Sequence, residues 1–436
     1  MKRLLLIFIA CLIGTSALAD EMEPPTDQIE PLVDQMESLV NEYMLLELSL
    51  ARHDPAQVDA YFGPDSLKDL AEEEQLSLAE IQERAASLAE ELRALESGET
   101  DPLRLNSLEL RLLALQTRAA LNQGKELPFD QETKLLFDAV APTYGAEHFE
   151  EVLQQIDALL PGKAPLPERV TAFRKQFIIP SDRVAYIFTA ALEECRRRTL
   201  DHIELPKHES FDIEYVTDKP WGAYNWYKGD SHSLIQVNTD LPIYIDAAVD
   251  LGCHEGYPGH HTYNTLLEQH LVRDKGWQEF SLYPLFSPQS LIAEGSGNYG
   301  VDLAFPGNER IEYEREHLFP LAGLDPSDAE RYYQLQALRG QLNYASNEAA
   351  RRYLDGDFTS EQAQQWLINY ALDTPEVAAK RISFYDTYRS YVINYNYGKD
   401  MVADWIEAES GYSQDHWKTF TRLLSSPLSP SDLTRP

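Results

Sequence analysis

Pro258 forbids one continuous helix through the stretch Cys253-His254-Glu255-Gly256-Tyr257-Pro258-Gly259-His260-His261. A proline in a helix interior removes the hydrogen bond to the fourth preceding residue and clashes with that residue's carbonyl, here His254. Gly256 and Gly259 free the backbone on either side for conformations that other residues avoid. The chain must therefore deliver helix, break and helix within nine residues. Three of its 11 histidines, with Glu255, lie across that break. On an unbroken helix His254 and His261 would share a face about 10 Å apart along the axis, and His254 and His260 would lie about 9 Å apart on different sides. Neither pair could hold one cation at the ~2.0–2.1 Å of a zinc–imidazole bond. If two residues loop out, His260 takes the place of the second histidine in a helical His-Glu-x-x-His pair. If three loop out, His261 takes it. Two imidazoles beside a carboxylate are the ligands and base that a catalytic zinc site uses. The sequence thus predicts a break between Glu255 and His260, with two candidates for the second imidazole. Cys253 fits a small apolar core residue better than a ligand.

Elsewhere the pattern is chiefly helical. Over residues 26–160, apolar positions such as Leu32, Met36, Leu39, Val40 and Tyr43 recur every three or four residues between acids. This region is expected to be a scaffold with little chemistry of its own. A Pro- and Gly-rich linker follows at 160–167, then helix over 168–199 ending in Arg196-Arg197-Arg198. That basic run suits either a helix C-terminus or a substrate carboxylate. Residues 210–241 alternate in strand fashion and lead into the motif helix, where an exposed strand edge could bind an extended peptide by strand addition. Helices are expected over 243–252, 262–273, 290–303, 326–355, 360–370, 375–392 and 399–408. The expected fold is mainly α, a large multi-helix assembly around a metal cleft with a small β-sheet next to the motif helix. Scaffold (20–160) and catalytic region (168–425) should form one continuous fold, with 426–436 as a surface tail.

A formal net charge of −35 argues against nucleic acid and anionic membranes as partners, since both require cationic surface. Residues 1–19 have the form of a secretory signal peptide: Lys2 and Arg3, an apolar run at 4–13, and Ala17-Leu18-Ala19 before Asp20. The run is too short to span a bilayer, and Phe8 is a poor start for a lipobox at Cys11. The mature chain is expected to be exported, periplasmic or secreted, with no membrane span. Only Cys195 and Cys253 would remain, enough for one disulfide at most.

The string His254-Glu255-x-x-Pro258-Gly259-His260 resembles the hallmark of the DUF885 family, bacterial proteins regarded as metallopeptidases similar to the gluzincin zinc enzymes. Weaker pieces of the resemblance are Asp59-Ala-Tyr-Phe-Gly-Pro64, Ala293-Glu-Gly295 and the segment from Tyr391 to Gly398. The resemblance implies one Zn²⁺ per chain held by His254, His260 and Glu294. It implies Glu255 as the general base toward the attacking water, and Tyr395 as a phenol donor to the oxyanion. The family's tryptophan after Glu-Gly is replaced by Ser296, which alters the pocket rather than the ligand. His261, His232, His317 and Arg389 are candidates for contacts behind the site or to substrate. The implied activity is hydrolysis of short peptides. The same chemistry would serve another amide or ester, and a non-catalytic peptide-binding relative would have no need of Glu255.

Overall fold

The computed structural model describes residues 26–95, 101–411 and 415–434. The signal-peptide features, Cys11 included, lie outside the described residues. Leu39–Pro436 form one compact unit; of Met1–Ser38, only the start of helix α1 (Thr26–Ala51) is described. The protein is mainly helical with small sheets.

The N-terminal helices begin where local chemistry says they should. After α2 (Asp65–Glu74), a capping box between Ser77 and Glu80 starts α3 (Leu78–Ala94). Asp101 caps α4 (Pro102–Asn122), with Pro102 at the first position. Then come α5 (Phe129–Phe137), α6 (Ala146–Leu159), α7 (Leu166–Arg174) and α8 (Val184–Leu200). The all-helical expectation misses β1 (Val58–Tyr61), a short strand that exists through antiparallel pairing with β5 (Leu282–Pro284), a partner over 200 residues away. The expected helix over 168–199 is interrupted before Val184, where Ile178 bridges Tyr244 and the Ile179 amide donates to the Ile243 carbonyl.

Residues 210–241 form the expected small sheet: β2 (Ser210–Val216), β3 (Ala223–Gly229) and β4 (His232–Asn238), in the order β2-β4-β3. The β2–β4 pairing is parallel and the β3–β4 pairing antiparallel, which leaves β3 at an edge. The motif follows as α9 (Ile245–Glu255) and α10 (His260–Leu267), separated at Gly256–Gly259. Next come α11 (Pro288–Ala304), α12 (Glu309–Tyr313), α13 (Phe319–Ala322), α14 (Ala329–Gly340) and α15 (Tyr344–Leu354). The single helix expected over 326–355 is thus two. The chain ends with α16 (Ser360–Trp366), α17 (Pro375–Tyr388), α18 (Ile393–Ser410), α19 (His416–Leu424) and α20 (Pro430–Leu433).

Two expectations fail for reasons of packing. The segment from 426 is no surface tail: Ser429, Pro430 and Leu433 are buried, and the Ser431 amide donates to Asp138. Cys253 is not a free packing thiol but bonds to Cys195, tying α9 to α8. The helices pack closely at Gly252, where a Cβ would be in van der Waals contact with the Leu192 backbone. The arginine run is structural. Arg196 pairs with Glu209, Arg197 with Glu194 and Asp201, and Arg198 with Glu194 and Glu309.

Candidate metal centre

The helix break predicted at Pro258 is present, and it brings His260 back beside His254. Their ring centroids are 4.5 Å apart. Gly256 (φ −102°, ψ −98°) closes α9 and Gly259 (φ −76°, ψ −136°) opens α10. The return is tight enough that only glycine fits at 259: a Cβ there would lie 1.8 Å from the His254 carbonyl oxygen. The Gly259 amide donates to the Cys253 carbonyl at 3.0 Å, and the Asn225 side chain donates to the Glu255 carbonyl at 2.6 Å, pinning the break to β3.

Glu294 arrives from α11. Its Oε2 lies 3.1 Å from His254 Nε2 and 3.8 Å from His260 Nε2, and it is buried without a hydrogen-bond partner. Tyr391 donates to its other oxygen at 2.8 Å. The approach of α11 depends on two glycines. A Cβ on Gly295 would lie 2.4 Å from the backbone of Gly398 on α18, and one on Gly398 would lie 2.8 Å from the Leu291 carbonyl oxygen. The pieces around Glu294 and Tyr395, each weak in sequence, thus meet as one helix crossing.

Asn298, one turn after Glu294, sets the tautomer of His254. Its Nδ2 donates to the Tyr395 carbonyl at 2.8 Å, which turns Oδ1 toward His254 Nδ1 at 3.1 Å. The Nδ1–H donates there, and Nε2 is directed at Glu294. A hydrogen-bonded Nδ1, an Nε2 facing a second imidazole, and an orphaned buried carboxylate oxygen are the donor set of a divalent-cation site. One nitrogen or oxygen each of His254, Glu255 and His260 also lie within 4.8 Å of one another. Two carboxylates therefore compete for the third ligand position; Glu294 has one oxygen at 3.1 and 3.8 Å from the two Nε2 atoms. Held by protons alone, the cluster is polarised. Burial opposes charge on His254, but Glu294 and Glu255 outweigh it and lift the ring to about 9. Burial and the His254 charge push His260 down to about 4. Burial raises the Glu255 carboxyl to about 7, with Glu294 and Asp59 adding to the effect and His254 opposing it.

The cluster opens into a pocket of about 530 Å³, also lined by Gly222–Asn225 of the β3 edge, Tyr395 and several further aromatic side chains. The remaining candidates are elsewhere. His261 is fully buried behind the motif, its Nδ1 2.8 Å from Ser233 Oγ and its Nε2 3.1 Å from Glu209. Of the two adjacent histidines, His260 turns into the pocket and His261 away from it. His232 sits at the start of β4 against Ser210 and Asp212. His317 is exposed beside Tyr313. Arg389 pairs with the buried Glu132 at 2.7 Å. None of these four lines the pocket. Sequence reading assigned no role to Asn298, Tyr391, Glu209 or Asp59. Asp59 and Tyr391 stand in the weaker pieces of the resemblance, and Asn298 carried the four-residue spacing from Glu294; Glu209 had no local signal.

No family model matches the chain, and no curated protein matches it. Among crystal structures, a candidate lipoprotein from Colwellia psychrerythraea matches with a TM-score of 0.51 at 15% identity, covering 83% of this chain and 70% of that one. The M32 carboxypeptidase from Deinococcus radiodurans R1 matches with a TM-score of 0.42 at 12% identity, covering 91% of this chain and 89% of that one. The likeness to the Colwellia protein is one of fold, and the chemistry rests on this chain's own residues.

Proposed function

We propose that the protein is a zinc-dependent hydrolase of short peptides, similar in its site to the DUF885 proteins. The observation that carries this is the convergence of His254, His260 and Glu294, with Glu255 beside them, at the floor of a pocket that an edge strand lines. His254, His260 and Glu294 would hold the metal. Zn²⁺, bound there, lowers the pKa of a water and polarises a carbonyl.

Glu255 takes the proton of the attacking water and passes it to the leaving amine. Burial raises its carboxyl and a cation beside it would favour the carboxylate, the form that takes a proton. Tyr395, in the pocket and with its phenol held well above the usual range by burial, stays protonated and donates to the oxyanion. The β3 edge offers backbone groups to an extended substrate. A base at position 255 distinguishes this reading from a site that only stores metal. The disulfide fits an exported protein, and no helix among the described residues is long and apolar enough to cross a membrane.

Glu255→Gln should keep its metal and lose about 10²–10⁴-fold in turnover of a mixed peptide library. Full activity in that variant would sink the mechanism. Turnover of ester or non-peptide amide panels without any peptide cleavage would redirect the substrate class.

A further inference from the structure

We propose that Asp59 anchors the free α-ammonium group of a short peptide, making the pocket selective for substrates with an unblocked N-terminus. The inference rests on the peptide-hydrolase reading of the same pocket. Asp59 lies on β1, in a region whose sequence suggests only scaffold, yet it lines the pocket with Glu255 and Glu294. No step of the proposed chemistry uses it. The Tyr224 hydroxyl donates to its Oδ1; the charge of Lys228 acts on it, without an ion pair between the two among the described residues. Several buried carboxylates are matched by arginine, Glu279 by Arg104, Glu132 by Arg389, Glu314 by Arg310 and Glu348 by Arg351, whereas Glu47 and Asp246 are held by neutral donors.

Burial pushes the Asp59 carboxyl up to about 7, a penalty that a bound ammonium would reverse. Its surroundings suit that ligand. Tyr224, Tyr283 and Tyr388 line the same pocket, and the Asp59 charge acts on all three phenols. A carboxylate among aromatic rings offers an ammonium both an ion pair and ring faces. Asp59 also acts on the Glu255 carboxyl, so an amine held at Asp59 shares one cavity with the proposed metal ligands and base. Two cations in the lining, Lys380 and Arg381, are less suited to anchor a substrate carboxylate, since they already face Asp240 at 3.5 Å and Asp373 at 2.7 Å.

The test uses a mixed tripeptide library in free, N-acetylated and C-amidated forms. Turnover is followed on the wild-type chain, and retention on Glu255→Gln by ultrafiltration and mass spectrometry. Retention tests the anchor and turnover tests the hydrolase, so the two readings can fail separately. The free form should be retained at least about ten-fold better than the acetylated form. Asp59→Asn, added to Glu255→Gln, should abolish that ratio, and Asp59→Glu should restore part of it. Equal retention of free and acetylated peptides overturns the proposal, as does a loss on amidation alone. A ratio that survives in folded Asp59→Asn removes Asp59 from the assignment. Retention of no peptide overturns this proposal, and absence of turnover as well removes the hydrolase reading with it.

Discussion

His260 and His261 are adjacent, chemically identical and oppositely employed. The sequence left the choice between them open because it turns on how many residues the break loops out. That number is set by Gly259 packing on the His254 carbonyl and by what lies behind the motif. What lies behind is Glu209, which accepts from His261, Tyr257 and Arg196, partners 52, 48 and 13 residues away in sequence. No local pattern encodes such a cluster. In metal-content measurements, His260→Ala should fall to nearly zero per chain, while His261→Ala should keep its metal and lose stability; the reverse would mean that the register is wrong. Glu209 provides a second check. Burial raises its carboxyl, but the three donors outweigh burial and hold it at about 2, against 4.5 for the free group. A depressed folded pKa stabilises at pH above 4.5 and loses that contribution as pH falls from 4.5 toward 2. Glu209→Gln should therefore cost about 3 kcal/mol at pH 7 and progressively less in that acid window, as read by urea melts at several pH values.

At the scale of elements, the helical regions were legible because apolar spacing and caps are local signals. β1 was not, because its reason to be a strand is β5, brought alongside by the tertiary fold. The site depends on two junctions between elements. The Cys195–Cys253 bond fixes α9 on α8 immediately before His254. Gly295 and Gly398 let α11 and α18 cross at backbone contact, which carries Glu294 to the imidazoles and brings Tyr395 into the same pocket. In sequence these glycines look like helix defects, and only the crossing explains them. Gly295→Ala should force the helices apart, costing about 1–3 kcal/mol by overpacking. Because the displaced element carries a proposed ligand, metal affinity should fall as well, by about 10–100-fold. Competition against a chromophoric chelator measures this. Unchanged affinity alongside lowered stability would detach Glu294 from the metal.

Across the whole molecule, the charge excess has consequences that no single ion pair reveals. With 72 acidic and 37 basic residues, nearly half of the carboxylates have no cation to face even if every base is paired. Arginine matches several buried acids, as at Glu279, Glu132 and Glu348, and other arginines pair on the surface, as at Glu109 and Glu409. Exposed pairs are individually worth little, about 0–1 kcal/mol, whereas repulsion among surplus carboxylates acts over the whole surface and favours expansion. The screening length falls from about 30 Å at 0.01 M salt to about 8 Å at 0.15 M. Added salt then weakens the long-range repulsion more than the short contacts of the buried pairs. The melting temperature at pH 7 should rise by a few degrees between about 0.01 and 0.2 M salt, equally for sodium and potassium chloride. The rise should shrink toward the sequence isoelectric point of about 4.6, where the surplus is neutralised. A melting temperature that falls with salt would show that attractive pairs, not surplus acids, dominate the electrostatics of the fold.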